Sequence, residues 1–162
     1  MSRTDESIIT LIREAFRDVS LGNGDGLRKA KSLDDYGEGY TKERIELDAK
    51  EKAEGWQSLN AKDLDENEVA LSFFDPEGMR FHLPAYMIYH LDDAFHVADI
   101  LFHLTDVNND HARKQFSLLN QKQRNAVREY LLFIKDEMGE NAFWCPGFEA
   151  LETALEQYWT PE

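Results

Sequence analysis

Apolar residues recur at helical spacing through most of the chain. Ile8, Leu11, Ile12, Ala15, Phe16 and Val19 share one face of a helix over residues 5–19. Thr4 or Asp5 is placed to cap its start, and Gly22 with the glycine-rich stretch behind it ends it. The clearest pattern covers Gln121–Met138, with Val127, Tyr130, Leu131, Ile134 and Met138 on the core face and Asn120 as the cap. Val97, Ile100, Leu101 and Leu104 keep the same period over residues 94–104, where strand alternation fails at Asp99. A last helix over Phe148–Trp159 presents Phe148, Leu151, Leu155, Tyr158 and Trp159.

The middle of the chain is less regular. Residues 27–59 carry mixed charge and little apolar content, which predicts short helices around Leu27–Tyr36 and Thr41–Glu54 in a segment that wraps the body or is partly mobile. Asn60 is placed to cap a short turn through Leu64, ahead of a short helix around Glu66–Phe73. Asp75-Pro76-Glu77-Gly78 reads as a turn, because proline fixes φ and glycine accepts a positive one. Met79–His82 is then expected to be extended. Pro84 is expected to open a helix, where its missing amide costs nothing, with Met87, Ile88 and Leu91 following at i+3, i+4 and i+7. The expected fold class is mainly α: a compact helical bundle of about six to eight helices in a single domain over 1–162, with one short extended segment near Met79–His82.

Phe81-His82-Leu83-Pro84-Ala85-Tyr86 resembles the signature of an uncharacterised bacterial family built around a Phe-x-Leu-Pro-Ala-Tyr motif. Arg13-Glu14-Ala15-Phe16, Leu33-Asp34-Asp35-Tyr36, Trp56, the run Leu119–Val127 and Tyr130-Leu131-Leu132-Phe133 are similar in order and spacing. The likeness covers roughly residues 13–134. It implies one intact domain and carries no activity, so no catalytic residue is transferred by it.

Charge changes the picture more than length does. The net charge is −14, and it is distributed in blocks. Residues 63–110 hold eleven Asp and Glu against Arg80 alone, and residues 136–162 hold seven acids and no Lys or Arg. Residues 111–135 between them carry six bases and only Glu129. Such a field repels phosphate backbones and disfavours nucleic acid, and it favours a basic protein partner. Apolar runs far shorter than the ~18 residues of a membrane span give no membrane segment. One cysteine excludes an internal disulfide framework, and with no leader-like N-terminus the expected compartment is the cytoplasm.

All five histidines fall between 82 and 111, interspersed with Asp92, Asp93, Asp99, Asp106 and Asp110. On a helix over 94–104, His96, Asp99 and His103 would share a face, a donor set suited to zinc. His96 and His103 stand seven residues apart, about 10.5 Å of rise, so His82, His90 or His111 would have to converge on them. A solvated polar face is the simpler account, and no metal or other cofactor is expected. Asp106–Asp110 begins like a calcium loop but places His111 where glycine is required. Gly22-Asn23-Gly24-Asp25-Gly26 follows a helix rather than a strand, so chain reversal explains it better than a phosphate cradle. Cys145 sits in an acidic segment with no second cysteine near it, and reads as a packed residue. Asp34-Asp35 and Asp92-Asp93 are neighbours in sequence, which on a helix point apart. Tyr86, Tyr89 and His90 could line a groove beside the signature helix.

Two functions of different class follow. The favoured one is a small acidic interaction domain without catalytic activity, monomer or homodimer, that meets a basic protein partner. The other is a metal-dependent or acid–base enzyme using the His/Asp cluster of 82–111: His82, His90, His96, Asp99 and His103.

Overall fold

A helical stretch with no exposed face must be surrounded, and residues 81–88 form that stretch. The computed structural model describes residues 3–27, 30, 42–92, 100–139 and 147–161. Among them are eight α-helices: α1 (Asp5–Ala15), α2 (Lys42–Glu54), α3 (Ala61–Asp65), α4 (Pro76–Asp92), α5 (Ile100–Thr105), α6 (Asp110–Gln115), α7 (Gln121–Met138) and α8 (Phe148–Gln157). Tight 3-10 turns at Trp56–Ser58 and Glu68–Ser72 flank α3, and no strand occurs among the described residues. The chain is mainly α. Leu27–Tyr36 falls largely outside the described residues, and of the 94–104 pattern only the part from Ile100 lies within them.

α4 corrects the expected turn and extended segment. Pro76 is its first residue, where a missing amide is harmless. Asp75 accepts the Gly78 amide on its side chain at 2.8 Å, as a capping residue does. Met79–His82 is therefore helical, one turn inside α4. Pro84 stands mid-helix rather than at a start, and withdraws the amide that would bond the Arg80 carbonyl. Burial offsets that loss: every residue from Phe81 to Ile88 is buried.

The remaining termini follow local chemistry. Thr4, Asn60 and Asn120 each accept an amide three residues on, while the side chain at that position bonds back to the cap. Asn109 caps α6 through the Ala112 amide at 2.8 Å, so the calcium-like stretch is a helix start. The glycine-rich loop lies on the beginning of α4. A Cβ on Gly24 would stand 2.8 Å from the Gly78 nitrogen, and one on Gly78 would stand 2.6 Å from the Asp25 carbonyl. Two backbones touch here, which only glycine permits.

α1 packs along α7 and against α4, while α5 and α7 pack on α8. One continuous apolar cluster runs from Ile8 to Trp159, with Trp159, Tyr86, Tyr130 and Phe16 among its largest members. Most polar side-chain atoms inside it have partners, Asn67 Oδ1 and Arg80 Nε being exceptions among the described residues. The Trp56 indole donates to the Phe16 carbonyl at 2.9 Å, and that of Trp159 to the Leu104 carbonyl at 2.7 Å. Gln115 donates to the carbonyls of Leu71 and Phe74. No described helix is long and apolar enough to cross a membrane.

Candidate functional site

The described histidines take separate partners. His82 is sealed in the core with Glu51, both 0% exposed. Its Nδ1 donates to the Gly78 carbonyl at 2.6 Å and its Nε2 lies 3.2 Å from Glu51 Oε1. Its ring stacks flat on Phe74 at 4.3 Å. His90 is also buried, its Nδ1 bonded to the Tyr130 hydroxyl forty residues away. His111 meets the Ser72 carbonyl at 2.9 Å, and His103 stands edge-on to Phe102 at 5.5 Å. His96, Asp99, Asp93 and Cys145 lie outside the described residues, as does the Asp34-Asp35 pair. Among the described residues no group of three or more His, Cys, Asp or Glu is arranged to hold a metal ion.

Tyr86, Tyr89 and His90 lie in different surroundings. Tyr89 borders a cleft of about 570 Å³ between α1, α3 and α4, together with Arg13, Trp56, Leu59, Ile88 and Asp92. Its hydroxyl donates to Asp65 at 2.8 Å. Tyr86 points the other way, into the core, and donates to the Asn67 carbonyl at 2.9 Å. Burial holds the Tyr86 phenol well above its ordinary range, and the carboxylates of Glu51, Glu68 and Asp65 push it further. Tyr130 is raised by burial alone. Neither phenol is available to a bound molecule.

A larger groove, about 740 Å³, opens between α5 and α8. Leu101, Phe102, Thr105, Asp106 and Asn108 supply one side; Met138 and the first turns of α8, from Gly147 to Thr153, supply the other. Phe102 is 52% exposed, against Leu118 at 41% elsewhere on the surface. Among the described residues lining the groove the charged ones are Asp106 and Glu149, with no Lys or Arg. One acid from each acidic stretch of the sequence thus lines the same groove. Periodicity assigns the helices separately, and their pairing depends on tertiary packing that no local pattern encodes.

Four of the six bases between the acidic stretches are engaged within the fold. Arg124 donates to the Tyr158 carbonyl at 2.5 Å, and Arg128 to those of Leu155 and Trp159 at 2.9 and 2.6 Å. These are the carbonyls left open at the C-terminal end of α8, where cations are favoured. Arg113 donates to Val107, and Lys135 pairs with Glu152 at 3.1 Å.

Among protein-family models, one described as "Family of unknown function (DUF6714)" matches residues 4–162. No curated protein and no solved structure matches the chain.

Proposed function

The chain belongs to the DUF6714 family, a family of unknown function, and from that premise we propose that it is a small non-catalytic interaction domain whose acidic face receives a basic protein partner. The observation that supports this most is the groove between α5 and α8, where one acid from each acidic stretch, Asp106 and Glu149, lines the surface and the described lining has no Lys or Arg. Clefts lined by one sign of charge draw in partners of the other sign. The side chains best suited to proton transfer argue the same way. Glu51 and His82 have no solvent access, so a substrate has no route to them. The proposal requires no metal or cofactor, and its compartment is the cytoplasm, in keeping with a single cysteine.

The test is capture from a lysate of the source cell on immobilised protein, in rising salt. A strongly basic protein should be retained at low ionic strength and released near ~1 M salt, where the Debye length falls to about 3 Å. It should also be lost from the Asp106→Lys/Glu149→Lys variant. Retention of nothing basic, or retention indifferent to both salt and charge reversal, would overturn the proposal.

A further inference from the structure

Resting on that reading, we propose that the groove between α5 and α8 seats a basic amphipathic helix of the partner protein, with Phe102 as the side chain its apolar ridge meets. Leu101, Met138, Ala150 and Leu151 give the groove an apolar lining, and Phe102 stands 52% exposed beside them. A large exposed aromatic at an apolar groove with an acidic rim is the anatomy of an interface: an apolar centre and a polar edge.

The occupant's chemistry follows from charge and from the fold. Asp106 and Glu149 call for Lys or Arg flanking the apolar ridge. No strand occurs among the described residues, so they present no sheet edge for an extended peptide to join. Helix-in-groove docking is the mode that this surface supports. A second copy of the chain is a poor occupant, because each copy brings a charge of −14.

The experiment uses the full chain and a labelled synthetic peptide of about 18 residues, long enough for roughly 27 Å of helix. Leu occupies i, i+3, i+4 and i+7, and Lys most other positions; a scrambled peptide of the same composition is the control. Fluorescence anisotropy should give the amphipathic peptide about tenfold tighter binding than the scrambled one. Phe102→Ala should remove about tenfold of it, while Leu118→Ala leaves it unchanged. Asp106→Asn/Glu149→Gln should weaken binding and flatten its salt dependence. Thermal melts of each variant, expected to match the parent, show that these exposed changes leave the fold intact.

Equal binding of the two peptides, or an inert Phe102→Ala, overturns the groove assignment while leaving an acidic interaction domain standing. Binding of neither peptide at low salt removes both. Sedimentation showing a concentration-dependent dimer that Phe102→Glu abolishes would make the occupant a second copy, and overturn the partner helix.

Discussion

Glu51 and His82 face each other in the core with Nε2 3.2 Å from Oε1 and no exposure on either side chain. Each has a further backbone partner. The Leu27 amide lies 3.4 Å from both carboxylate oxygens, and Gly78 fixes His82 Nδ1 as a donor. The pair therefore joins α2, the start of the segment after the glycine loop, and α4. Removing one member leaves the facing atom of the other unpaired in a site closed to water. Glu51→Leu or His82→Leu should each cost about 3 kcal/mol, and the double variant much less than the sum. Urea midpoints decide this; additive losses would mean that the two side chains are not coupled.

Alkaline instability follows from the two buried phenols. Tyr86 and Tyr130 keep their protons in the folded state well above the ordinary value near 10.0, whereas the unfolded chain releases them there. Above that pH the folded state binds more protons, so the stabilising contribution is complete below pH 10 and falls as pH rises. The slope should reach about 1.4 kcal/mol per pH unit for each tyrosine. Tyr130→Phe should remove one tyrosine's share of the slope in urea titrations between about pH 9 and 11.5. An unchanged slope would contradict it.

Gly78→Ala sets two effects against each other. Alanine favours a helix over glycine by about 1 kcal/mol. The new methyl, however, would stand 2.6 Å from the Asp25 carbonyl and 2.7 Å from Asp75 Oδ1. Net destabilisation of about 2 kcal/mol is expected, with the contact between the glycine loop and α4 forced apart. A variant more stable than the parent in thermal melts would show that the two backbones do not touch.

Arg128 should matter more than its charge implies. Replacement by Met keeps the aliphatic stem but leaves the Leu155 and Trp159 carbonyls without their donor. A loss of about 2 kcal/mol is expected, the worth of charge-assisted bonds at a helix end. Trp159 fluorescence should shift to the red as α8 frays. No loss of stability and no spectral change would remove the arginine from its capping role.

α7 was legible in the sequence because it is half exposed: its apolar residues mark one face, and Asn120 with Gln123 marks its start. α1 was legible for the same reason, though it ends at Ala15 rather than near Val19. Of α4 only the part from Pro84 on was legible. Every residue from Phe81 to Ile88 is buried, which leaves no polar face to set a period there, and Asp75-Pro76-Glu77-Gly78 read as a turn although the same residues also suit a helix start. Pro84 completed the misreading, since only tertiary burial tolerates it mid-helix. Glu51 was missed because it lies in Lys50–Glu54, a charged run with nothing to distinguish its one buried acid. The α5/α8 groove required knowing which helices meet.

One consequence concerns how α8 is to be dissected. Its outward side carries Glu149, while Leu151, Ala154, Leu155 and the adjoining Trp159 are buried inward. Contact surface and keystone are two sides of a single ten-residue rod. Trimming it away would unseat Trp159 and, with it, the whole scaffold, so a shortened fragment that fails to bind says nothing about recognition. Only single replacements on the outward side separate the two roles.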